Sequence, residues 1–228
     1  MKLILIRHGE TLSNKEKRIQ GISDVELSTV GIEQAHLLAL SLKDHPIEAI
    51  HTSPLKRAMQ TAEIINEFHR KELHTHQDLM EMNYGDFEGV SFKKIIAGEK
   101  DFIDKWMTDP ASVKMPNGES LTQLQERAWR ALKRIINKEE NALVVSHNFT
   151  IATIICRIKN ISLNEFVSAC VGNASKTIVS VQKDGIFIEA FNDRSHLLED
   201  IPPKINALFY DRFFSNSNPQ FRKKASTE

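Results

Sequence analysis

A chain of 228 residues is long enough to bury a substantial core, in one large domain or two small ones. Hydrophobic residues at 41% and charged residues at 26% give the balance of an ordinary soluble globular protein. Lys plus Arg and Asp plus Glu both number 30, so the formal net charge is zero and no global field draws in nucleic acid or an anionic membrane surface. A local positive pocket is compatible with that balance. No apolar stretch approaches the roughly 20 residues that span a bilayer, and Met1–Ile6 is too short before Arg7 to supply a secretory h-region. Cys156 and Cys170 carry no metal or redox spacing, so buried reduced thiols in a cytoplasmic protein are expected.

Short apolar runs alternate with longer helical patterns, the signature of an α/β sandwich, and no internal repeat interrupts them. Lys2–Ile6 reads as a buried strand that stops at the turn Arg7-His8-Gly9. Thr29–Leu42 reads as a helix capped by Ser28, its inner row Ile32, Ala35, Leu38 and Leu42. Glu48–Thr52 is a second strand. Ser53 then serves as the expected cap of a further helix with Pro54 at its first position and Leu55, Ala58, Met59, Ala62 and Ile65 facing inward. The stretch from Tyr84 to Asp109 is less regular, and 84–118 is expected to be an insertion or lid. After Pro116-Asn117-Gly118, the residues Leu121, Leu124, Ala128, Ala131 and Ile135 line a long helix. Ala142–Ser146 is a third buried strand and Phe149–Ile158 the helix behind it. Thr177–Gln182 and Ile186–Phe191 flank Lys183-Asp184-Gly185 as a hairpin. Residues 1–198 thus read as one domain. Residues 199–228 read as a C-terminal tail, aromatic at Phe209, Tyr210, Phe213 and Phe214; packing on the core, pairing as a homodimer and disorder at its tip stay open for it.

Three strands end in polar residues: Arg7-His8-Gly9-Glu10-Thr11, His51-Thr52-Ser53 and Ser146-His147-Asn148. Ligands bind at the carboxyl ends of parallel strands, and the turns that follow present free N–H groups suited to an anion. Arg57, one turn into its helix, tilts back toward the same edge, with a donor fork matched to phosphate oxygens.

These residues carry a likeness. Leu5-Ile6-Arg7-His8-Gly9-Glu10-Thr11, with Asn14, resembles the signature of the histidine phosphatase superfamily, which includes the cofactor-dependent phosphoglycerate mutases. The likeness continues through Gln20-Gly21, Asp24, Leu27 and Gly31, then Thr52 to Ala58 with Gln60-Thr61-Ala62. It goes on through Leu79-Met80-Glu81, Gly85-Asp86-Phe87-Glu88-Gly89, Pro116 to Ser120 and Val144 to Asn148, ending near residue 192. It implies a three-layer α/β/α sandwich with a mostly parallel central sheet.

The resemblance also implies roles. His8 would be the nucleophile, since a neutral imidazole attacks phosphorus without an activating base. Arg7, Arg57, His147 and Asn14 would hold the phosphoryl oxygens. Glu81 would protonate the leaving oxygen and then activate water. Gly21 and Asn148 join the phosphate-binding set, and Gln20 either touches phosphate or lines a surface loop. Asn148 departs from the Gly that many members carry, but Asn is small and tolerates unusual backbone angles. No cofactor and no metal enter this scheme. An isolated Arg-His-Gly turn would be an ordinary loop; here Arg7, His8, Arg57, Glu81 and His147 all fall at element ends in family order.

Other readings fit less well. His69, His74 and His76 invite a zinc site, but they lack an acidic partner set and read as solvated surface histidines. No Gly-x-Ser-x-Gly elbow supports a serine hydrolase. Lys93, Lys94, Lys100 and Lys105 form a solvated face, with Phe87, Phe92, Phe102 and Trp106 as core or as a substrate-selecting lid. The mutases carry Arg after the acidic glutamate and an Arg pair further on. Met82-Asn83 follow Glu81 here, so hydrolysis is expected, with mutase activity as the alternative. A silent phospho-ligand-binding or interaction module would have lost His8 or Glu81. The expected partner is a small phosphorylated metabolite. Phosphosugars, phosphoglycerate, a ribazole phosphate and fructose bisphosphate are all compatible, because the shared motifs grip only the phosphoryl group.

Overall fold

A strand that is apolar at every inner position has no face to show to water, and β1 (Lys2–Arg7) meets that demand from the middle of a sheet, with Leu3 to Ile6 all buried. The computed structural model describes residues 1–138 and 141–197. Met1–His196 is one compact unit, and the tail at 199–228 lies outside the described residues. On one side β1 pairs in parallel with β4 (Asn141–Ser146), which pairs with β2 (Ala49–Thr52), which pairs with the edge strand β3 (Leu73–Thr75). On the other side β5 (Lys176–Gln182) is antiparallel to β1, and β6 (Gly185–Asp193) closes the expected hairpin. The sheet order β3-β2-β4-β1-β5-β6 is therefore mostly parallel.

Strand alternation divides the core. Leu3, Leu5, Ala142 and Val144 face α6 (Leu121–Ile136) and α7 (Asn148–Lys159), where Leu124, Ala128, Ala131, Ile135, Ile151 and Ile155 complete one apolar layer. Ile4, Ile6, Leu143 and Val145 face the opposite way, toward α2 (Thr29–Leu42) and α3 (Lys56–His69), which pack on each other, α3 also packing on β2 and β4. Helices on both faces make the three-layer sandwich. A short α1 (Leu12–Glu16) follows β1 directly.

Several boundaries follow from local chemistry. Ser28 caps α2 by accepting the Gly31 N–H, and Ser120 forms a capping box with Gln123 at the start of α6. Ile32 does not belong to the inner row of α2; it is 40% exposed, and Gly31, Gln34 and Ala39 join Ala35, Leu38 and Leu42 instead. The third helix begins at Lys56 rather than Pro54. Leu55 is its N-cap and offers no side-chain acceptor, so Asp24 supplies one from a distant loop, accepting the Lys56 N–H at 2.7 Å. Ser53 is thereby released for another task. Met59 is only half-buried, and Arg57 and Thr61 take inner positions.

The 84–118 segment is more ordered than expected. It holds α4 (Phe92–Gly98) and α5 (Lys100–Thr108). Phe87 is buried, Phe102 and Trp106 pack against the core, and Lys93, Lys94, Lys100 and Lys105 are exposed. Cys156 is buried and Cys170 half-buried, both free thiols.

Candidate active site

The register of two strands builds the centre of the site. Arg7 pairs with Ser146 across β1 and β4, so the next residues, His8 and His147, leave the sheet side by side. Their ring centroids are 5.1 Å apart. His8 is almost fully buried, and its Nδ1 lies 2.6 Å from the Gly9 carbonyl oxygen. A carbonyl only accepts, so Nδ1 carries the proton and Nε2 keeps the lone pair. Burial, then the charges of Arg57 and Arg7, hold His8 well below the usual histidine value of 6.5. His8 is therefore neutral at pH 7, with a free ring nitrogen lone pair.

His147 is the N-cap of α7 and is wholly buried. Its Nε2 lies 2.8 Å from Ser53 Oγ, which also accepts the Leu55 N–H. With Ser53 donating, the His147 proton sits on Nδ1, and that atom has no hydrogen-bond partner among the described residues. Burial and then Arg57 push His147 well below 6.5 too.

The two arginines are fixed by carbonyls. Arg7 Nη1 donates to the Val171 oxygen at 2.6 Å. Arg57, only 1% exposed, donates through Nη1 to Ser23 and through Nη2 to Gly21, at 2.8 and 2.7 Å. Burial lowers Arg57 to about 10, which still leaves it cationic at neutral pH. Its Nε finds no partner among the described residues. Gly21 acts here through its carbonyl, and its φ of 56° suits glycine, since a Cβ would run into Glu88.

Glu81 is buried beside the start of α7. Its carboxylate accepts the Phe149 and Thr150 N–H groups at 3.2 Å each and the Met82 N–H at 2.9 Å. Asn14 Oδ1 accepts from the Thr11 N–H and from Asn173 Nδ2, leaving its own amide hydrogens for a ligand. Gln20 Oε1 lies 2.9 Å from the Thr11 hydroxyl, which ties Gln20 to the same corner. Asn148 does not need an unusual backbone angle, because it opens α7 in ordinary helical conformation. Its Oδ1 accepts the Val171 N–H at 2.8 Å, and the Val171 carbonyl is the one that holds Arg7.

Four supporting residues were not anticipated from sequence. Asn173 donates to Gly9 O and Asn14 Oδ1, bridging the His8–Gly9 turn and α1. Arg127 donates to the carbonyls of Asp78, Met80 and Glu81 while pairing with Glu119 at 2.6 Å, so one guanidinium carries the whole acidic segment. Thr61 Oγ1 accepts the Gly9 N–H. Ser53, read as a helix cap, orients His147. Their only signal was placement, as with Arg127 flanking the apolar row of α6. His51, at the end of β2, does not join the phosphoryl group of residues; it turns to His74 and His76 at the sheet edge. Among the described residues no three His, Cys, Asp or Glu side chains form a group able to hold a metal ion.

With this geometry in place, comparison with known proteins is informative. The family model of the histidine phosphatase superfamily (branch 1) matches residues 3–194. Phosphoserine phosphatase 1 of Hydrogenobacter thermophilus is 30% identical over 201 residues, 87% of this chain and 95% of that protein. A Yersinia pestis protein named "probable phosphoglycerate mutase GpmB" is 31% identical over 209 residues, 89% and 96% of the two chains. Among solved structures, Bacillus stearothermophilus YhfR superposes with a TM-score of 0.81 at 30% identity, covering 86% of this chain and 98% of its own. Entamoeba histolytica phosphoserine phosphatase superposes with a TM-score of 0.76 at 30% identity, covering 86% and 99%.

Two predictions come from this site. Below pH 6.5 the unfolded chain protonates His8 and the native state does not, so stability should fall as pH drops from 7 toward 5. In His8→Ala that loss should be smaller by about 1–2 kcal/mol, measured by urea unfolding at both pH values; an unchanged slope would contradict the neutral assignment. Asn148→Ala should weaken inorganic phosphate as a competitive inhibitor by about 5- to 10-fold by releasing Val171 from Arg7. Asn148→Asp, which keeps an acceptor for Val171, should recover most of it.

Proposed function

The chain belongs to branch 1 of the histidine phosphatase superfamily, and from that premise we propose that it hydrolyses the phosphomonoester of a small metabolite through a phosphohistidine at His8. The observation that carries this reading is the hydrogen bond from His8 Nδ1 to the Gly9 carbonyl, which leaves Nε2 as an unprotonated lone pair beside two guanidinium groups. In the first step His8 Nε2 attacks phosphorus and the bond to the ester oxygen breaks. Glu81, entering as the carboxylic acid, gives its proton to that leaving oxygen. In the second step the Glu81 carboxylate takes a proton from water. The resulting hydroxide attacks phosphorus, the P–N bond breaks, and His8 recovers its electron pair. Arg7, Arg57, His147 Nδ1 and the Asn14 amide supply fixed donors for the charge on the equatorial oxygens, the work a metal ion does in other phosphoryl-transfer sites.

Relatives named for phosphoserine and α-ribazole phosphate support a small phosphorylated substrate. The GpmB likeness favours a mutase as the second reading. The residues after the acid speak against it, because Met82 is buried in the core and the Asn83 side chain is spent on the Gly85 N–H. Neither offers a cation to a substrate carboxylate. That absence of a cation after the acid fits transfer to water.

Labelled aryl phosphate mixed with the enzyme in EDTA and quenched within milliseconds should yield an acid-labile, base-stable phosphoprotein, absent from His8→Ala. Failure to turn over without added metal, or labelling that survives in His8→Ala, would refute the scheme. Glu81→Gln should cut kcat by about 100-fold or more for alkyl phosphates and far less for nitrophenyl phosphate, whose leaving group needs no proton. Equal slowing of both esters would remove Glu81 from the acid role.

A further inference from the structure

The second strand carries, one residue before its end, a histidine that the phosphoryl site does not use. The register of β2 against β3 pairs His51 with His74, and strand alternation returns His76 to the same face. The His51 ring lies 5.2 Å from that of His74 and 5.0 Å from that of His76. With Arg134 from the last turn of α6 and Lys138 just beyond it, these rings line a cleft of about 390 Å³ together with Leu73 and Ile135. That volume suits a small ligand.

His51 is 4% exposed, and its Nδ1 lies 2.9 Å from His76 Nε2, so the two rings share one proton. His51 Nε2 is buried with no partner among the described residues. Were the proton of His51 on Nε2, an N–H donor would be buried unpaired. A proton on Nδ1 instead is used in the bond to His76 and leaves only a lone pair unsatisfied. His76 Nε2 is then the acceptor, and the proton of its neutral ring lies on Nδ1. Burial, followed by His76, His74 and Lys138, pushes His51 down to about 4, so it serves this role uncharged at pH 7.

We propose that this cleft binds an oxyanion of the phosphate class, with His74, His76, Arg134 and Lys138 as donors and His51 as the buried residue that sets the His76 tautomer. A divalent cation fits poorly. Two nitrogens bound tetrahedrally to one zinc stay about 3.3 Å apart, farther than the 2.9 Å seen here, and Arg134 and Lys138 would repel the ion. Carboxylates do face the rim: Asp78 is shared by Arg130 and Arg134, and Glu72 lies 3.9 Å from His74 Nδ1. Arg130, Arg134 and Lys138 together outnumber these two acids, and the imidazoles contribute N–H donors.

The test is a titration of the full-length chain at pH 7 and constant ionic strength, reading histidine ring resonances assigned with single His→Gln variants. Inorganic phosphate should shift the His74 and His76 signals saturably with one dissociation constant, distinct from that read at His8 and His147. Lys138→Gln should weaken that constant by about tenfold while kcat/KM for an aryl phosphate stays within about twofold. Tighter binding of butylphosphonate than of phosphate would identify the occupant as a phosphorylated metabolite, and equal binding as the free anion. Shifts that never saturate, that survive unchanged in Lys138→Gln, or that answer to zinc and not to phosphate would overturn the proposal.

Discussion

Arg57 is buried almost completely, and what meets its charge is a pair of peptide carbonyls rather than a carboxylate. Taking a guanidinium out of water costs several kcal/mol, and neutral dipoles return only part of it. Glu81, Asp24 and Glu88 add distant attraction, enough that Arg57 keeps its proton at neutral pH. The unneutralised remainder does two things at once. It makes protonation of His8 and His147 unfavourable, which keeps the nucleophile's lone pair free. It also leaves the site attractive to a doubly charged phosphoryl group, which supplies the counter-charge that the protein withholds. One electrostatic choice thus serves both attack and binding.

Withholding carboxylates from the pocket requires that nearby acids be occupied elsewhere. Glu88 accepts the backbone N–H groups of Ile22 and Ser23, and so fixes the loop whose Gly21 and Ser23 carbonyls hold Arg57. Glu119 binds Arg127 and the Asn83 N–H, and Arg127 in turn gathers the carbonyls of residues 78, 80 and 81. Both acids spend their charge on scaffolding. Glu81, too, is held by peptide N–H groups, at the start of α7. That helix end favours negative charge through its exposed donors.

Much of this was readable from the sequence, and the physical reasons differ by residue. Strand ends could be placed because a run such as Leu3 to Ile6 must be buried on both faces, and that placement alone brings Arg7 and His8 to a carboxyl edge. The meeting of His8 with His147 needed the β1–β4 register, which no local pattern reveals. Ser53 was misplaced because Ser-Pro is a good local start for a helix, whereas the actual cap comes from Asp24, some thirty residues away in sequence. Ile32 was assigned inward by spacing, but α2 is apolar on more than one side, and packing chose Ala39 instead. Asn173 and Arg127 act through backbone carbonyls, and a bond to a carbonyl leaves no trace in the partner's identity.

The 84–108 segment is tied to the acidic corner of the site by a row of aromatic side chains. Phe87 meets Phe102, Phe102 stacks with Trp106, and Trp106 reaches both Phe149 and Phe166. Tyr84 touches Phe149 from the other side. Phe149 is also the residue whose N–H binds the Glu81 carboxylate. The aromatic row therefore ends on the same turn that positions the acid, and such ring pairs add about 0.5–1.5 kcal/mol each beyond burial. A shift at Phe102 or Trp106 is therefore passed through these rings to Phe149, on the turn whose peptide donors hold Glu81, whereas the carbonyls that hold Arg7 and Arg57 belong to other segments.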